Sequence, residues 1–147
     1  MKFFSLSFNT FFFTGKSPIA PGTVGSFFAL LFWLLFLPSY EVRILFIILF
    51  ALISYFTISS ELSNNNIKDP QHIVIDEVLG MWIALLFIPS NNFTNIILAF
   101  IIFRLLDIFK PSIIKRVENL EGALGILLDD IICGFITLIL LIGLTNI

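Results

Sequence analysis

Five acids and two cations fall into groups whose spacing could do chemistry. Asp76 and Glu77 are adjacent in "DPQHIVIDEVLG", just before an apolar run. Asp129 and Asp130 are adjacent in "GILLDDIICGF", at the threshold of another. Arg104, Asp107 and Lys110 follow one another at intervals of three in "FRLLDIFKP", so a helix would set them along roughly one face. Adjacent carboxylates repel, and an apolar surround makes each costlier to ionise. A divalent cation relieves that repulsion. Mg²⁺ takes one or two carboxylates together with waters and substrate phosphate oxygens. Cations beside such a set suit a phosphorylated substrate.

A fourth stretch, "TGKSPIAPGTVGS" at 14–26, carries no acid. Its prolines and glycines make a stiff turn that exposes N–H groups near a helix start, a geometry that suits an anion. It is not a Walker A loop, because Thr10 stands where the first glycine would have to be. Each stretch alone has a plainer reading: a turn entering a membrane, acids on a helix dipole, an ion-pair ladder along a helix. His72, the single histidine, has no second His or Cys to complete a zinc set and reads as a loop residue. The lone Cys133 reads as a small buried hydrophobe.

The elements that must position these groups are written in the composition. The 147 residues suit one domain, 1–147, and are 59% hydrophobic with 12% charged. Soluble domains carry roughly twice that charge. The mean hydropathy of +1.07 points to an integral membrane protein, and the net charge of −2 excludes a nucleic-acid partner. The apolar segments lie at roughly 27–38, 44–58, 78–89, 93–109 and 131–147. They predict an all-α, multi-pass membrane bundle of about four to five short helices with polar cytoplasmic loops. The first helix is expected to begin at Thr23 or Ser26, and the third to reach back into "IVIDE". The asparagines at 64–66 read as a loop, and "KRVENLE" as a polar stretch on the membrane surface. The N-terminal "MKFFSLSFNTFFFTG" reads as a retained amphipathic lead-in, since polar residues interrupt it and no cleavage site follows.

Parity then groups the chemistry. If all five segments cross, residues 1–26, 59–77 and 110–130 share one side. Lys2, Lys16, Lys68, Lys110, Lys115 and Arg116 lie there and Arg104 lies near it, with only Arg43 opposite. That bias assigns the side to the cytoplasm. Glu61, Asp69, Asp76, Glu77, Asp107, Glu118, Glu121, Asp129 and Asp130 share the same layer, with only Glu41 opposite. The residues alone therefore predict membrane-embedded, Mg²⁺-dependent chemistry on a phosphate at the cytoplasmic interface.

Four blocks also resemble the phosphatidylglycerophosphatase A family, bacterial membrane phosphatases of phospholipid synthesis. "GKSPIAPGTVGS" is similar to its G-x-S-P-x-A-P-G-T-x-G-S/T block, and "DPQHIVIDEVLG" to its D-P-x-x-I-V-x-D-E-x-x-G block. "FRLLDIFKP" and "GALGILLDDIICG" resemble F-R-x-x-D-x-x-K-P and G-G-x-G-I-x-x-D-D-x-x-A-G. The chain departs at Ser112-Ile113, where the family often has Trp-Pro, at Ala123 for a Gly and at Cys133 for an Ala. The resemblance implies a bacterial inner-membrane enzyme whose active site faces the cytoplasm. It would hydrolyse the terminal phosphate of phosphatidylglycerophosphate with Mg²⁺. It also implies Asp76, Glu77, Asp107, Asp129 and Asp130 as the acidic site residues, with metal ligands among Asp76, Glu77, Asp107 and Asp130. Arg104, Lys110, Lys16 and Thr23 become phosphate contacts, the last two from the 15–26 loop that lines the site. Water attack aided by a carboxylate and a phospho-aspartate route both remain open. Of the adjacent pair, Asp130 is expected to face the metal, because Gly134 one turn on clears space there. The competing class is a non-enzymatic membrane subunit or small transporter with structural or proton-carrying acids. A transporter, however, places polar groups near mid-membrane rather than at segment ends.

Overall fold

The computed structural model describes residues 2–36, 39–65, 70–89, 91–111, 114, 117 and 120–145. Six α-helices and no strand occur among them. They are α1 (Lys2–Asn9), α2 (Pro21–Phe36), α3 (Tyr40–Asn65), α4 (Ile75–Ala84), α5 (Phe93–Phe109) and α6 (Ala123–Thr145), with a 3-10 turn at Thr14–Lys16 between α1 and α2. The all-helical expectation holds. Of the sequence expectations, the surface stretch at Lys115, Arg116 and Glu118 lies outside the described residues. So do Lys68, Asp69, Ser112, Ile113 and the side chain of Lys2.

α4 is the axis of the fold. It is apolar on every side beyond its first turn, and Val78 through Ala84 are all buried. A helix apolar all round needs neighbours all round, and α2, α3, α5 and α6 supply them. Trp82 anchors the packing, fully buried, with its indole N–H donating to the Ala29 carbonyl at 2.8 Å. α1 lies against α3, where the Ser5 hydroxyl donates to the Thr57 carbonyl.

The outer faces are greasy. Leu35, Phe36, Phe56, Ile108, Phe109, Ile139 and Leu144 each expose more than half of their surface. Apolar exposure on this scale is consistent with a membrane surround. α3 and α6 are both long and apolar enough to cross a membrane. α2 is a shorter apolar helix, and α4, at ten residues, is about 15 Å long and too short to span alone.

Boundaries shift for local reasons. α2 starts at Pro21 rather than at Thr23 or Ser26, because proline at the first helical position has its φ preset and no N–H to leave unpaired. α3 runs through the polar tail expected as loop, so that Asn64 and Asn65 end the helix, while Asn66 lies outside the described residues. Within that tail the Ser63 hydroxyl bonds back to the Ser60 carbonyl at 3.1 Å, so it turns onto its own helix. α6 begins after Gly122, whose φ of +78° makes the turn, so Asp129 and Asp130 sit inside the helix rather than at its threshold. α5 keeps the predicted 93–109, started by the Asn92 side chain accepting from the Asn95 N–H and ended at Lys110 in the left-handed region.

Candidate active site

The acids meet because two helices touch at glycine. A Cβ on Gly134 of α6 would stand 2.4 Å from the Gly80 carbonyl oxygen, and one on Gly80 would stand 2.5 Å from that of Asp130. Asp130 is one turn before Gly134, and Asp76 is one turn before Gly80. The contact therefore sets the two acids side by side. Gly134 clears space, as expected, but the space is taken by the backbone of α4.

Single carboxylate oxygens of Asp76, Glu77 and Asp130 all lie within 4.8 Å of one another. Asp76 Oδ1, Glu77 Oε2 and Asp130 Oδ1 are sealed from solvent and have no hydrogen-bond partner. Unpaired buried carboxylate oxygens are expensive. Burial first, then the charge of Glu77, holds the Asp76 carboxyl well above the usual carboxylate range. Burial likewise raises Glu77. Three acids at this separation fit a hard cation better than they fit each other.

The other predicted residues surround this set. The Asp107 carboxylate accepts from the Arg104 guanidinium one turn earlier on α5, and it also borders Asp130. Arg104 donates further to the Ser26 hydroxyl at 3.4 Å, while its Nε is buried without a partner. Asp129 turns away from the three: its Oδ2 takes the Lys110 ammonium at 2.6 Å, and its Oδ1 accepts the Asp130 N–H. The adjacent pair thus divides, with Asp130 in the acid set and Asp129 in an ion pair. Thr23 lies half-buried in the first turn of α2. Lys16 is exposed, its ammonium 5.0 Å from the Phe13 ring.

The "TGKSPIAPGTVGS" stretch lines the site through its glycines. A Cβ on Gly22 would stand 2.1 Å from Glu77 Oε1 and 3.2 Å from Arg104 Nη2. Gly15 makes room for the His72 carbonyl and Gly25 for Val74. Sequence reasoning gave these glycines a turning role; their spacing also serves the close approach of the segment leading into α4. It missed Ser26 as a partner of Arg104. It placed Glu61 in the acid layer without a partner. The structure pairs that carboxylate with Asn9 and His72, and nothing in local spacing signals a contact between residues 52 apart.

The family model for phosphatidylglycerophosphatase A matches residues 7–145. A phosphatidylglycerophosphatase A of Escherichia coli is 39% identical over 127 residues, covering 84% of this chain and 73% of its own. One of Haemophilus influenzae is 32% identical over 128 residues, covering 85% and 78%. A Bacteroides thetaiotaomicron protein, named provisionally as a phosphatidylinositol-3-phosphatase, is 34% identical over 147 residues, covering 95% and 92%. No solved structure matches. The chain belongs to the phosphatidylglycerophosphatase A family.

Proposed function

We propose that this protein is a lipid phosphatase of the cytoplasmic membrane. It hydrolyses phosphatidylglycerophosphate to phosphatidylglycerol and phosphate at the cytoplasmic interface, with Mg²⁺ held by Asp76, Glu77 and Asp130. The observation that carries this reading is the trio of carboxylates, each offering an oxygen within 4.8 Å of the other two and each holding a sealed, unpartnered oxygen, beside a guanidinium and a helix start. The names of the relatives supply the substrate, and the apolar outer faces supply the lipid setting.

Mg²⁺ bound by these acids would neutralise them and polarise the phosphoryl oxygens. The chain's own groups do the rest. Arg104, steered by Asp107 and Ser26, offers a guanidinium to the phosphate. The first turn of α2 brings the positive end of its dipole beside Arg104 at Gly22. Lys110 neutralises Asp129, which keeps a further negative charge from opposing an anionic substrate. A carboxylate of the set takes the proton of the attacking water as its oxygen bonds to phosphorus and the ester oxygen departs.

The test is Mg²⁺-dependent phosphate release by full-length protein in detergent. Release from phosphatidylglycerophosphate, lost on chelation and in Asp76→Asn, is the expected result. Full activity in Asp76→Asn, or none in wild type with Mg²⁺, overturns the reading. Phosphatidylinositol 3-phosphate run alongside tests the substrate suggested by the Bacteroides relative. Acid quenching separates the mechanisms, because a trapped acyl-phosphate would exclude direct attack by water.

A further inference from the structure

The first turn of α4 carries two of the three acids, yet its sequence does not fix where that turn begins. The residue before it is Val74, at φ −134° and ψ 7°, and no side chain there caps the helix. Valine has no oxygen with which to accept from the first N–H groups. The placement has to come from outside the helix.

It comes from a polar knot remote in sequence. Glu61, near the end of α3, is buried and uses both carboxylate oxygens. Oε2 accepts from the Asn9 amide, and Oε1 meets His72 Nε2 at 2.6 Å. Asn9 is itself wholly buried, and its main-chain carbonyl accepts the Val74 N–H at 2.9 Å. His72 and Val74 are two residues apart, and Asp76 follows Val74 by two. The turn of 70–73 is closed by the Ile73 N–H on the Pro70 carbonyl. Gly15 and Gly25 then admit the His72 carbonyl and the Val74 side chain at separations that no Cβ would allow. One carboxylate on α3 thus holds α1 with one oxygen and the approach to α4 with the other.

We propose that Glu61 is a positioning residue for the acid site. Through Asn9 and His72 it fixes the start of α4, and so the spacing of Asp76 and Glu77 to Asp130. This rests on the reading of those three acids as a cation site. Glu61 touches none of them and takes no part in the chemistry. Buried charge-assisted hydrogen bonds of this kind orient what they hold.

The test uses full-length protein in detergent, with Mn²⁺ binding followed by electron paramagnetic resonance beside phosphate-release kinetics. Mn²⁺ shares the octahedral oxygen preference of Mg²⁺. Glu61→Ala is expected to weaken Mn²⁺ binding about tenfold or more and to lower kcat about 10- to 100-fold, the range for supporting residues around metal sites, with KM little changed. Glu61→Gln keeps an acceptor for Asn9 and a polar group for His72, and is expected to stay within about threefold of wild type in both. His72→Ala removes one arm from a half-exposed position and is expected to fall between them; it serves where Glu61→Ala does not fold. The proposal is overturned if Glu61→Ala, or His72→Ala where the former does not fold, binds Mn²⁺ as wild type does. It is also overturned if Glu61→Gln fails as badly as Glu61→Ala, which would make the charge itself essential. Asp76→Asn separates the two ideas. If it retains wild-type Mn²⁺ binding, the cation site itself is wrong. If it loses binding while the Glu61 and His72 variants keep theirs, only the positioning role fails.

Discussion

The two ends of α4 are built from the same kinds of group and treat them oppositely. At the C-terminal end, the buried guanidinium of Arg43 donates to the carbonyls of Leu86 and Ile88, at 3.3 and 3.1 Å, just past the helix. It also stacks on the rings of Trp33 and Tyr40, at 5.2 and 5.3 Å. At the N-terminal end, Asp76 and Glu77 each hold a sealed oxygen with no partner, and Asp130 adds a third. Buried polar groups are ordinarily satisfied; the Arg43 end leaves only the Trp33 indole nitrogen without a partner among the groups named there, whereas the acid end gathers three carboxylate oxygens, so the first reads as architecture and the second as a site awaiting a ligand. α3 touches both ends, with Arg43 at one and Glu61 at the other. Their separation of eighteen residues is about 27 Å of helix, which sets α3 alongside α4 as a brace.

The contrast breaks most directly at Asp130. Asp130→Asn removes a carboxylate whose Oδ1 has no partner and whose neighbours Asp107 and Glu77 are acids, so the folded state should lose little or even gain. The midpoint of thermal unfolding in detergent is expected to hold or rise, while phosphate release falls by more than about a hundredfold. That exceeds the cost of losing a merely supporting residue. Activity within about tenfold of wild type would show that the unpartnered oxygens have no function.

Gly22→Ala asks the same question without touching an acid. The new Cβ collides with Glu77 Oε1, the tip of a flexible side chain, and lies close to Arg104 Nη2. Moving a side-chain tip costs little stability, and alanine is the better helix former by about 1 kcal/mol. Moving it out of a cation site costs function. Activity is expected to fall about 10- to 100-fold with stability nearly unchanged. A large loss of stability at unchanged specific activity would put Gly22 with the architecture instead.

How much of this was legible in the sequence follows the same division. The acids, Arg104 and Lys110 could be read because they sit in short blocks with helical spacing, and the ends of α5 could be read because Asn92 and Lys110-Pro111 mark them. Parity predicted that Asp76 and Asp130 enter from one side, and their helices do run together through Gly80 and Gly134. The division of Asp129 from Asp130 was legible only as a 100° difference in direction; Lys110 decides which one leaves the set. The knot at Glu61 was not legible. Its three members come from α1, α3 and the segment before α4, and no periodicity relates them. The early start of α6 escaped for a related reason: two aspartates look like the end of an apolar run until Lys110, nineteen residues away in sequence, is folded against one of them.

Arg43→Met should give the reverse of Asp130→Asn, with the smallest effect on catalysis. Methionine keeps much of the apolar stem between Trp33 and Tyr40 but leaves the Leu86 and Ile88 carbonyls without the guanidinium. The lost stacking and hydrogen bonds together cost about 2–4 kcal/mol of stability. The acids stand at the far end of the ten-residue helix and keep their neighbours in α5 and α6. Phosphate release per folded molecule is therefore expected to stay within about twofold of wild type, since no group near the acids moves. Thermal unfolding and activity measured on the same detergent preparation check both halves. A matching fall in specific activity would mean that strain at the Arg43 end reaches the acids along α4, and the two ends would have to be treated as one coupled unit.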